Sequence, residues 1–211
     1  MKMRLLKSLI SSNPKKSLAD QDQLDPQTLL RAYAAGIFPM SDARDAPDIY
    51  WVEPKRRGIL PLGDFHISKS LSKTLKSGRF RISRNEAFAD VLHLCGAEAE
   101  NRPSTWINRP IEQAVVALHH MGRAHSVEVW QGKALVGGLY GISLGRAFFG
   151  ESMFSRATDA SKVALVHLVD WMKAEGFVLL DCQFITPHLA SMGAVEVSRA
   201  AYLAMLGDAL E

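Results

Sequence analysis

Only two of the 211 residues are cysteine, Cys95 and Cys182, and both stand among apolar neighbours. That leaves no disulfide framework and no paired-cysteine zinc spacing, and reduced core thiols are expected. Equally missing is an unbroken apolar run of ~18 residues, so no membrane-spanning helix is predicted. The first residues lack the apolar stretch and small-residue cleavage site of a secretory leader, which makes the cytoplasm the expected compartment. Also absent are the G-x-x-x-x-G-K-[ST] phosphate loop, the G-x-S-x-G elbow and the H-E-x-x-H helix. His119, His120 and His125 have no carboxylate at ligand spacing, so they read as surface or satisfied core histidines, and no metal site is expected.

What is present suffices for one sizeable core, or for a small domain attached to a larger one, with 47% hydrophobic residues. The net charge is only +3, but it is unevenly spread. Lys2, Arg4, Lys7, Lys15 and Lys16 precede the first acid, Asp20. A solvated tail is the plain reading, and a transit-like or nucleic-acid-touching arm the other.

Asp25-Pro26 followed by Leu29, Leu30, Tyr33 and Gly36 has the cap, proline, periodicity and terminator of a short helix. The proline-punctuated stretch after it, through WVEPKRRGILPL, reads as irregular or edge-strand connections. Residues 1–61 are therefore expected as a small, loop-rich N-terminal unit, and 62–211 as the main domain. In residues 66–76, Ile67, Leu71 and Leu75 form one helical stripe, and Lys69, Lys73 and Lys76 another. RFRISR alternates like a strand, and residues 86–95 and 109–121 return to helical spacing.

From residue 124 to 150 three β-rich runs are separated by Gln131-Gly132 and Leu144-Gly145, which predicts an antiparallel meander. A helix over 159–175 follows, then FVLLDCQF, a short strand of the kind buried on both faces, and a final helix capped by Ser198. This order is α+β and compatible with acyltransferase folds of the GNAT type.

Asp181 ends an apolar run at the C-terminal edge of a predicted central strand, where sheets tend to open onto ligands. It could also cap the next helix or pair with a core arginine. Gln183, two residues on, points to the same face if the strand continues. Together they could orient and deprotonate an amine or hydroxyl. Glu151 follows Phe148, Phe149 and Gly150 as a second acid at a strand end, or as a turn residue. Trp106 is a candidate pocket wall or simple core. The lysine stripe, with Arg79, Arg81 and Arg84 after it, is either a solvated face or a phosphate-binding one.

The blocks AYAAGIFPM, FHISKSL, TWINRPI, AHSVEVW, LVGGLYG, GESMFSR, ASKVAL, LLDCQ and SMGAVEVSR occur in one order. Taken together they resemble the leucyl/phenylalanyl-tRNA-protein transferase family of bacteria, from about Leu24 to Leu206. The resemblance implies a GNAT-like catalytic domain that moves Leu or Phe from aminoacyl-tRNA to the N-terminal Arg or Lys of an acceptor protein, marking it for N-degron degradation. It implies catalytic roles for Asp181, Gln183 and Glu151, with Gln183 relaying a proton towards Asp181. Trp106 matches the tryptophan near the 3′ adenosine. Leu139, Phe148, Leu165, Leu168 and Leu180 would line the pocket for a side chain unbranched at Cβ, and Lys69, Lys73 and Lys76 would hold the acceptor stem.

Met40 stands where the family typically has Trp, and Trp51-Val52-Glu53-Pro54 stands for W-W-S-P. Fewer aromatic platforms imply weaker stacking on the terminal adenosine, a contact worth about 1 to 3 kcal/mol. The implied reaction is attack of the acceptor α-amine on the aminoacyl ester, with Asp181 and Gln183 taking the proton or Asp181 pairing with the cationic acceptor side chain. No cofactor is expected, because the ester already carries the activation, and the chain is expected to act as a monomer. The alternatives are an N-acyltransferase with a thioester donor, against which stands the lack of an evident glycine-rich pyrophosphate loop, and a tRNA-binding protein with weakened catalysis.

Overall fold

A computed structural model describes residues 24–97 and 104–211. The basic stretch from Lys2 to Lys16 lies outside these. The chain forms a mixed α/β fold around a seven-stranded sheet, with seven helices among the described residues. The helix α1 (Pro26–Ala34) begins where expected, with the Asp25 carboxylate accepting from the amides of Gln27 and Thr28. A two-stranded ribbon, β1 (Phe38–Met40) with β2 (Tyr50–Val52), follows it. The strand β3 (Arg56–Ile59) departs from the expected irregular or edge connection, because it lies between two other strands inside the large sheet.

After β3 come α2 (Lys69–Lys76), β4 (Arg81–Arg84), α3 (Phe88–Gly96) and α4 (Arg109–His120). The expected meander is β5 (Ala124–Gln131), β6 (Ala134–Leu144) and β7 (Ala147–Ser155), paired antiparallel in sequence. Then follow α5 (Ala160–Ala174), β8 (Leu179–Gln183), α6 (Pro187–Ala190), β9 (Val195–Ser198) and α7 (Arg199–Leu210), the last capped by Ser198 as predicted. The sheet order is β4-β5-β6-β7-β8-β3-β9. Only β7 and β8 run parallel, as the intervening helix α5 requires.

Helices cover both faces of the sheet, and the period-2 alternation of strands divides the core accordingly. Tyr140, Phe149, Leu179 and Ile59 pack with α1, α3, α4 and α7. Their chain neighbours Leu139, Phe148, Leu180 and Leu60 pack on the other face, with α2, α5 and α6. Leu179 and Leu180, just before Asp181, are therefore buried on opposite faces, whereas Val178 and Phe184 at the ends of the expected run are half exposed because they lie outside β8. At Gly137 the sheet and α5 are so close that a Cβ would lie 2.5 Å from that of Ala160.

Candidate active site

The parallel ladder between β7 and β8 holds three residue pairs and ends at Phe149↔Asp181. Beyond it the two strands part, and each leaves the ladder through a local irregularity. In β7, Gly150 pairs with Gly141 and Ser152 with Tyr140, so Glu151 is the extra residue of a β-bulge. Such a bulge redirects the side chain it carries. Gly141 permits it, since a Cβ there would sit 2.3 Å from the Phe148 ring and the Phe149 carbonyl. In β8, a register shift against β3 falls at Cys182, and Gln183 adopts φ 55°. The Phe184 amide then donates to the Cys182 carbonyl at 2.6 Å, closing a three-residue turn. Glu151 and Gln183 are each the second residue past the last pair, on opposite sides of the opening.

A cavity of about 710 Å³ occupies this wedge, within the range of ordinary small-molecule sites. Leu139, Leu165, Leu168 and Leu180 line its apolar part, while Met40, Trp106 and Phe38 line another stretch of wall. Phe148, expected among them, is fully buried in the same cluster but does not reach the cavity surface. Among the described residues, Glu151, Gln183 and His188 bring the cavity polar atoms without a partner: Glu151 Oε1, Gln183 Nε2 and His188 Nε2 are all buried and unmatched.

Asp181 is 0% exposed and does not line the cavity. Its Oδ1 accepts from Arg57 Nε at 2.8 Å and from the Gln183 amide at 2.8 Å. Its Oδ2 accepts from Arg57 Nη2 at 2.6 Å and Tyr202 Oη at 2.7 Å. These four donors fill the lone-pair directions a carboxylate offers. Arg57, 1% exposed, also donates to the Gly36 carbonyl and lies over the rings of Phe38 and Tyr202. Burial works against the Arg57 cation, but the hydrogen bonds and charge of Asp181 prevail and raise its pKa further. The expectation of a proton acceptor at Asp181 thus meets a carboxylate already saturated by an arginine, a tyrosine and the backbone of Gln183.

Burial pushes the Glu151 carboxyl up to about 8, against the lowering effect of a hydrogen bond with Tyr33 and with the Asp181 charge adding to the rise. At neutral pH it therefore holds its proton and is a hydrogen-bond donor. Burial likewise raises the Cys182 thiol far above its ordinary range. Burial first, and the Lys162 charge second, hold His188 below the ordinary histidine value.

Lys69, Lys73 and Lys76 project from α2 as one exposed stripe, away from the cavity lining, with Leu71 buried beneath them. His119 stacks on Phe88 at 3.9 Å and bonds the Ala124 carbonyl, and His125 bonds Ser143, so both are satisfied. Sequence reasoning passed over Arg57, Tyr33, Tyr202 and His188. Arg57 sits in a basic, proline-flanked stretch that reads as solvated, and the tyrosines sit in helical stripes that read as plain core. His188 follows a helix-initiating proline, with no chemical partner nearby in sequence to mark it.

Residues 59–207 match the family model for leucyl/phenylalanyl-tRNA protein transferase, and residues 22–55 match the model for the N-terminal domain of that protein. A leucyl/phenylalanyl-tRNA–protein transferase of Rhizorhabdus wittichii is 59% identical over 187 residues, 89% of this chain and 75% of the relative. One of Cereibacter sphaeroides is 57% identical over 187 residues, 89% of this chain and 86% of the relative. Among solved structures, that of FemX is similar with a TM-score of 0.51 at 13% identity, over 81% of this chain and 66% of that one. Two family models that between them span most of the sequence, and relatives above one-half identity, establish that this chain belongs to the leucyl/phenylalanyl-tRNA protein transferase family.

Proposed function

We propose that this protein transfers Leu or Phe from an aminoacyl-tRNA to the N-terminal Arg or Lys of an acceptor protein, the N-degron step that marks the acceptor for degradation. The observation that carries the reading is the wedge between β7 and β8. There a leucine-lined recess adjoins buried polar atoms without partners, as an aminoacyl ester with an apolar side chain requires. The parted parallel pair and the likeness to FemX support a GNAT-type fold for the domain.

Leu139, Leu165, Leu168 and Leu180 take the side chain, with Phe148 supporting them from behind. Each buried methylene is worth about 0.8 kcal/mol, and an unbranched Cβ enters the recess without clash. Trp106 and Met40 form the wall for the terminal adenosine. The ester carbonyl acquires negative charge when an amine attacks it, and donors fixed in advance stabilise that charge most. Glu151, neutral at pH 7, and the Gln183 amide are such donors. Asp181 is a positioning residue that acts through Gln183, since it grips the Gln183 N–H and holds the left-handed turn in place. Lys69, Lys73 and Lys76 hold tRNA phosphates.

Transfer of radiolabelled Leu from charged tRNA to a peptide beginning with Arg tests the whole reading. Labelled peptide is the expected product, and none from the folded wild type would sink it. A thioester donor serving in place of the charged tRNA would point to the N-acyltransferase alternative.

A further inference from the structure

The reaction needs a base, because the nitrogen that attacks the ester must lose a proton as the peptide bond forms. The expected base, Asp181, has all four acceptor directions filled. Among the described residues, the titratable side chains lining the cavity are Tyr140, Glu151, Arg156, Cys182 and His188. Glu151 and Cys182 retain their protons at neutral pH, and Arg156 is a cation. The Tyr140 phenol is ordinarily protonated there as well. Of these described groups, only the imidazole of His188 has a basic lone pair in this pH range.

We propose that His188 is the proton acceptor for the attacking amine. Its position fits the role: α6 starts four residues after Gln183 ends β8, and the Thr186 hydroxyl caps it by accepting from the Leu189 amide. The His188 Nε2 is buried without a partner, so an N–H of a substrate entering the cavity is the partner it lacks. Burial first, and the charge of Lys162 on α5 second, keep the ring unprotonated, so its lone pair is free to take a proton; Arg156, beyond β7, is a second cation lining the same cavity.

The step balances without any further reagent. The amine nitrogen bonds to the ester carbonyl carbon, and the proton it sheds passes to His188 Nε2. The bond from that carbon to the ribose 3′ oxygen then breaks, and the departing oxygen takes the proton back from the imidazolium. This inference rests on the transferase reading above and adds a base to it.

The test is steady-state transfer of Leu from charged tRNA to an Arg-initiated peptide at saturating peptide, across pH 5 to 9, with wild type, His188→Gln and His188→Ala. Positioned general bases contribute about 10²- to 10⁴-fold, so kcat should fall by at least about 100-fold in both variants. The KM for charged tRNA should change less than about threefold, and added imidazole should restore part of the His188→Ala rate. The wild type should lose kcat on the acid side with an apparent pKa below the ordinary histidine value. A kcat within about threefold of wild type in His188→Gln overturns the proposal and leaves the transferase reading standing. So does a wild-type kcat that is flat through the acid range, which can be read even where a variant fails to fold. Absence of transfer by the wild type overturns both.

Discussion

At the scale of single residues, the site is built from groups held in states they would not hold in water. Glu151 is the clearest case, because its bulge turns the carboxyl into a buried place where the proton is retained up to about pH 8. Its folded-state value lies above the ordinary 4.5, so between those limits the folded chain binds a proton that the unfolded chain has released. The Glu151 contribution to stability is therefore full below about pH 4.5 and is lost as pH rises towards about 8. Thermal unfolding of wild type and Glu151→Gln at about pH 5 and pH 8.5 should show the wild type losing Tm relative to the variant at the higher pH. An equal difference at both pH values would refute the assignment. Glu151, Asp181 and Gln183 stood out in the sequence because polar groups at the ends of apolar runs are conspicuous. The fourfold saturation of Asp181 was not legible there, since three of its four donor groups come from β3 and α7, far away in the chain.

At the scale of elements, α2 shows a helix whose two stripes serve different ends. Leu71 is buried against the body of the protein, while Lys69, Lys73 and Lys76 remain exposed on the outer side. If that face holds the acceptor stem, replacing all three lysines by alanine should flatten the slope of log Kd against log salt. The change should be about 2 to 3, at roughly 0.7 to 0.9 for each phosphate no longer neutralised. An unchanged slope in a filter-binding series would remove the face from the interface. The helix and its lysine stripe were readable from three- and four-residue spacings, but α2 begins at Lys69, which leaves Ile67 of the expected apolar stripe outside it and exposed. The strand β3 was not readable, because prolines flank it, paired arginines open it, and its strand character depends on pairing with β8 and β9. The bulge and the turn that open the wedge were also hidden, for a register shift is a property of two strands and appears in neither alone.

At the scale of the whole molecule, the ion pair between Arg57 and Asp181 ties distant parts of the chain together. It links β3 to β8, reaches the Gly36 carbonyl after α1 and takes a hydrogen bond from Tyr202 on α7. Removing one partner leaves the other charged and buried. Arg57→Met or Asp181→Leu should thus cost about 3 to 5 kcal/mol in denaturant unfolding. The double variant should cost less than the sum of the singles, which a double-mutant cycle measures; simple additivity would argue against the tie. The layered plan, with its meander, helix and doubly buried strand, was legible from periodicity and turn residues. The convergence of α1, β3, β8 and α7 on one carboxylate was not, since no local pattern records it.

The two faces of the sheet divide the labour. The leucines of the recess, Leu139, Leu165, Leu168 and Leu180, belong to the packing cluster on the α5 side, whereas Tyr33, Phe149 and Tyr202 belong to the other. A lineage, or a designer building a library, can therefore resize the recess on one face while the anchoring of Glu151 and Asp181 on the opposite face is left alone. On the proposed reading, the residues that shape the recess and those that anchor Glu151 and Asp181 are separate sets, and the one can drift while the other is conserved.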